Sequence, residues 1–172
     1  MKQDKFKITD KVEIEIRRKN KMKEELKLRG EMLFELRKKD GTVIDKEVIE
    51  NVIVNSGKER VAKLIGEGID TGLTGFSYIA IGTDNTGEGA SDTALGAEVK
   101  REAASVSYEA NYKAVFEKTF DFGTGESYAI VEAGLFDNAT ETGSVMLNRK
   151  TFTAKNVDED TDLYVKITIT VS

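Results

Sequence analysis

Apolar and polar residues alternate one by one from the start of the chain. Phe6, Ile8, Val12, Ile14 and Ile16 share one parity, and Met22, Leu26, Leu28, Met32, Phe34 and Leu36 continue it, with charged residues between them. A period of two belongs to strands with one wet face. The stretch RKNK at Arg18 to Lys21 predicts a turn between two such strands, with Asn20 suited to a left-handed conformation. Met22, Leu26 and Arg29 also fit a helical spacing, so residues 19–29 are open to a helical reading.

Further along, Asp40-Gly41 is the clearest hairpin signal, because a type I′ turn wants positive φ at both positions and this dipeptide tolerates it. The return strand is predicted from Thr42 to Val54, with Val43-Ile44 and Val48-Ile49 breaking the alternation in the manner of a bulge or of burial on both faces. Ser56, with Glu59 three residues on, has the spacing of a capping box; Val61, Leu64 and Ile65 follow at helical intervals until Gly66 and Gly68, which predicts one short helix over about 56–66. Such a helix covers or plugs a sheet. From Val106 to Phe122 the residues Val106, Tyr108, Ala110, Tyr112, Ala114, Phe116, Phe120 and Phe122 share parity, as one bent strand or two strands broken near Asn111, and the aromatic stripe is assigned to the core. Strands over 128–136 and 145–153 frame a polar loop, and 163–171 alternate cleanly after the acidic loop KNVDEDTD. About eight strands and one short helix predict an all-β fold, an antiparallel β-sandwich or a jelly-roll-like one. A basic N-terminal hairpin or arm, residues 1–30, precedes a body of residues 31–172.

Between Phe76 and Arg101 runs FSYIAIGTDNTGEGASDTALGAEVKR, an apolar strand ended by Gly82 and followed by a loop, Thr83 to Thr93, of small, polar and acidic residues that is read as exposed. This string resembles a pattern in structural proteins of tailed phages, a strand ending Ile-Ala-x-Gly-Thr that leads through a Gly/Ala/Ser loop into Asp-Thr-Ala-Leu-Gly-x-Glu. ENVIVNSGKERVAKLIGEG, EAGLFDNATETGSVMLNRKTF and DTDLYVKITITVS are similar to its entry, its late hairpin and its closing strand, in the same order, so the resemblance spans residues 32–171. It implies a non-enzymatic virion component associated with a tail, fibre or baseplate; a capsid decoration protein is the alternative within that class.

Composition narrows the chemistry. With no His and no Cys in 172 residues, imidazole catalysis, thiol nucleophiles, the usual zinc sites and disulfides are all absent. The N-terminal MKQDKFKITD lacks the apolar segment of a secretion signal and no window is long enough to span a membrane, so synthesis in a host cytoplasm and incorporation into a virion are expected, without a membrane partner. Residues 1–39 carry 14 basic against 8 acidic side chains, and residues 40–172 carry 12 against 23. Because acidic residues interrupt the basic third, it is read as a solvated face or a strap on an acidic neighbour rather than as a nucleic-acid site.

The expected partners are copies of the chain and other virion proteins. Arg17, Arg18 and Lys19 in the arm, and Asp84, Glu88 and Asp92 in the glycine loop, are the candidate contacts. Substituting those three acids is expected to leave the melting temperature nearly unchanged, since an exposed loop carries little core. Asp84, Asn85, Thr86 and Glu88 offer oxygen ligands, but Asp158, Asp160 and Asp162, in the denser acidic loop, are the better of the two weak metal candidates; neither spacing is that of an EF-hand, and a solvated loop is the favoured reading. No cofactor is implied: Gly87-x-Gly89 lacks the third glycine and the βαβ setting of a phosphate loop. A carbohydrate-binding adhesion module is a further alternative, against which stands the lack of Phe or Tyr in loops 83–93, 137–143 and 155–162.

Overall fold

The computed structural model describes residues 26–66 and 72–172. Among these residues the chain folds as an antiparallel β-sandwich of two five-stranded sheets with one helix. In chain order the elements are β1 (Leu28–Lys38), β2 (Val43–Glu50), β3 (Val52–Ile53), α1 (Asn55–Gly66), β4 (Tyr78–Gly82), β5 (Glu98–Ala103), β6 (Ser105–Glu109), β7 (Lys113–Asp121), β8 (Tyr128–Phe136), β9 (Met146–Val157) and β10 (Thr161–Val171). Sheet I has the order β2-β1-β10-β7-β6 and sheet II the order β3-β9-β8-β4-β5.

Alternation sends one row of each strand inward. Met32 and Phe34 of β1, Leu163, Val165 and Ile167 of β10, and Phe116 and Phe120 of β7 meet Ile79 and Ile81 of β4, Leu135 of β8 and Leu147 of β9 in one core. Phe34 stacks on Phe152 across the sheets, with ring centroids 3.7 Å apart. Each such side chain contributes about 1.5–3 kcal/mol by leaving water. The hairpin predicted at Asp40-Gly41 joins β1 to β2, but only Gly41, at φ 88°, is left-handed; Asp40 is not, so the turn is not the type I′ that needs positive φ at both positions. The broken alternation at Val43-Ile44 is a bulge: Leu36 pairs with Asp45 and Arg37 with Val43, so Ile44 is extra.

Several sequence expectations differ from the fold. Among the described residues the strands number ten: the predicted strand 42–54 is split at Asn51, where the chain leaves sheet I for sheet II, and the run 106–122 turns at 110–112 into β6 and β7. The predicted boundary near residue 30 falls inside β1, whose Leu28 and Arg29 already pair with Val171 and Thr170. Helix α1 begins at Asn55, so Ser56 is not its cap; the Ser56 hydroxyl donates to the Met146 carbonyl, and Glu59 pairs with Lys63 instead of closing a box. What holds α1 to the sheet is Gly57, where a Cβ would lie 2.5 Å from the Leu147 carbonyl oxygen. The aromatic stripe also divides. Phe116, Phe120 and Phe122 are core, whereas Tyr108 and Tyr112 are 84% and 82% exposed.

Candidate functional site

The loop from Thr83 to Ala97 lies over the outer face of sheet II, and its acidic side chains turn inward. Glu132, in the middle of β8 and wholly buried, is the anchor. Its carboxylate accepts from the backbone N–H groups of Asp84 (3.2 Å), Gly96 (3.0 Å) and Ala97 (2.8 Å), and from Arg149 Nε (3.0 Å). Arg149, on the neighbouring strand β9 and also buried, reaches on with Nη1 to Asp92 Oδ2 at 2.8 Å and with Nη2 to Asp84 Oδ2 at 3.5 Å. A buried charge is tolerable only when paired and hydrogen-bonded, and here one guanidinium serves three carboxylates. Gly96 is required where the loop closes, because a Cβ there would meet Asp84 Oδ2 at 1.8 Å.

Beside this cluster Glu88 pairs with Lys150 and accepts from Thr151 Oγ1 at 2.6 Å and from the Thr151 N–H at 3.2 Å. Burial pushes the Glu88 carboxyl up, but the bonds from Lys150 and Thr151 outweigh it and hold it at about 2. Asp92 is likewise held below the carboxylate range: its burial is overcome by the Gly89 N–H and by Arg149. The loop is thus clamped at both ends and in the middle, with Asn55 N–H donating to Ala90 O at 2.8 Å from the start of α1. The exposed-loop reading is corrected in this respect: its backbone is largely in water, but Asp84, Glu88 and Asp92 spend their charge on their own sheet.

The other candidates are placed elsewhere. Arg17, Arg18 and Lys19 lie outside the described residues, as does most of the predicted arm. Asp158 accepts from the Asp160 N–H and from Thr161 Oγ1, closing its own turn, while Asp162 pairs with Lys39 at 2.6 Å. Among the described residues no group of three Asp or Glu side chains converges as a metal site would.

Uncovered apolar surface gathers on the edges of sheet I. On β2, Val43, Ile44 and Val48 are about half exposed, yet Asp45 and Glu47 of the same strand point inward to Lys155 of β9, at 2.7 and 3.0 Å. Lys155 is buried, and burial alone would lower its pKa; the two carboxylates raise it instead. On β6 every residue is exposed. Val106 and Tyr108 pair across to Phe116 and Ala114 of β7, so they belong to the row that elsewhere forms the core, but sheet II ends short of them. Tyr108, Tyr112, Ala114, Ile169 and Val171 line an open apolar depression of about 630 Å³ there. Asn111 and Tyr112, at φ 64° and 60°, close the hairpin, and a left-handed tyrosine is an uncommon way to hold an aromatic ring out in water.

Sequence reading missed Glu132, Arg149 and Lys155. The signal was there in part: a lone carboxylate inside AIVEAGLF must find a cation if the strand is buried on both faces. No family model, curated protein or solved structure matches the chain.

Proposed function

We propose that the chain is a non-enzymatic structural protein of a tailed-virus particle, associated with tail, baseplate or fibre, that works by joining copies of itself and neighbouring particle proteins. The observation that carries this reading is how the surface divides. The charged groups of the glycine loop are turned inward to make a rigid body, while apolar side chains stay uncovered on strand edges, where another chain can pair. The resemblance of Phe76–Arg101 and its companion segments to virion proteins supplies the particle. The test is to purify particles, quantify the protein in them by mass spectrometry and locate it by electron cryo-microscopy. A stoichiometric ring or shaft in the tail is the expected result; density on the shell would make it a head-decoration protein, and absence from particles would end the reading.

Exposed Tyr108 and Tyr112 favour one second reading, a carbohydrate-binding adhesion module, since aromatic faces stack on sugar rings. It predicts saturable quenching of tyrosine fluorescence by an oligosaccharide panel, lost in Tyr112→Ser. No response across the panel would dismiss it.

A further inference from the structure

Exposed sheet edges invite pairing, and folded proteins blunt them with charges, inward-pointing ionic groups, bulges or short strands. Three of the four edges here are blunted. Strand β2 carries the Ile44 bulge, Lys46, and the inward Asp45 and Glu47. Strand β3 is two residues long. Strand β5 reads EVKREA, and its charges are tied down by Arg101 to Glu98, Lys100 to Glu126 and Lys118 to Glu102.

Strand β6, SVSYE, is the least protected of the four. It holds five residues with no Lys, Arg or Pro and no register shift against β7. Its single charge, Glu109, is engaged by Lys166 at 3.1 Å. Among the described residues no strand pairs with its outer side.

The β6 sequence is also self-complementary. Laid antiparallel against itself about Ser107, it sets Val106 opposite Tyr108 twice and Ser105 opposite Glu109 twice, so no like charges meet and two aromatic–β-branched pairs form on one face. That face is the apolar one which sheet II leaves uncovered, so the depressions of Tyr108, Ala114, Ile169 and Val171 on the two chains come side by side across the axis. We infer that two copies of this chain join through β6, antiparallel and centred on Ser107, so that their sheets I become one ten-stranded sheet. The inference rests on the assembly reading above in naming the partner as a second copy, but not on the particle in which it acts.

The chain has no cysteine, which gives a clean test. In this register the two Ser107 Cα atoms face each other at about 4.5–5.5 Å, within the span of a disulfide. Full-length Ser107→Cys should therefore cross-link to a dimer on air oxidation, and Val48→Cys on the β2 edge should not. By light scattering, wild type should give twice the 19.0 kDa chain mass at tens of micromolar, and Tyr108→Lys should give 19.0 kDa with an unchanged circular dichroism spectrum. A wild-type monomer at that concentration, a Ser107→Cys variant that fails to cross-link, or a Tyr108→Lys variant that remains dimeric would each overturn the β6 pairing. Absence from purified particles would instead end the virion reading and leave the dimer standing.

Discussion

Two regions of this sandwich treat their polar and apolar groups in opposite ways. Over sheet II, Arg149, Glu132, Asp84 and Asp92 close a network of ion pairs within the chain. At the β6 end of sheet I, Val106 and Tyr108 continue a core row with nothing among the described residues packed over them. The first arrangement fixes a loop on its own body; the second leaves a strand ready for another body. Side chains that look like surface in the sequence are thus structural, and a row that looks like core is surface.

The largest effect should come from the hub. Arg149→Ala strands the fully buried Glu132 without its cation, and removal of one partner from a buried pair costs about 3–5 kcal/mol. Urea denaturation should register that loss; a change below about 1 kcal/mol would mean the network does not anchor the loop. Next in size is the triple variant Asp84→Ala, Glu88→Ala, Asp92→Ala. Hydrogen bonds to charged groups are worth about 1.5–3 kcal/mol each, and discounting for partial exposure leaves roughly 2–4 kcal/mol for the three. This reverses the expectation from sequence alone, and a melting temperature equal to wild type would restore it.

A smaller and more specific effect is in pH. Glu88 is held at about 2 in the folded chain against an ordinary 4.5, so its contribution is complete above pH 4.5 and is lost as pH falls toward 2. Glu88→Gln should flatten the stability-versus-pH curve within that window; an unaltered slope would show that the Lys150 bond is not made in solution. The smallest effect belongs to the open region, where Tyr108→Lys should change the unfolding free energy of the monomer by less than about 0.5 kcal/mol. A larger loss would mean that Tyr108 packs within its own chain.

Much of the strand pattern was legible because alternation is a local consequence of the pleat. Asp40-Gly41, the even row of β1 and the clean β10 needed no partner to be recognised. The clamp was not legible, since Arg149 reaches Asp92 across 57 positions and Lys155 reaches Asp45 across 110. Charge in a loop has the same appearance whether it faces water or a buried guanidinium. The tyrosines misled for the complementary reason: parity places Tyr108 on the inner face, but how far sheet II extends above it is set by the crossing at Ala104, where a small residue in an even run gives no warning. There the Ala104 N–H donates to the Ser77 carbonyl, just ahead of β4, and β6 then departs into sheet I.

Strand β10 has a consequence for how the protein is made. It is the middle strand of sheet I, joining β1 on one side to β7 on the other, with Leu28 set against Val171. During synthesis β1, β2, β6 and β7 must therefore wait, unjoined as a sheet, until residues 161–171 have left the ribosome. Pairing so distant in sequence is slow to form. Throughout that interval the apolar rows of β1 and β7 have no centre to close on, so a nascent or truncated chain is the form most exposed to aggregation and most in need of a chaperone.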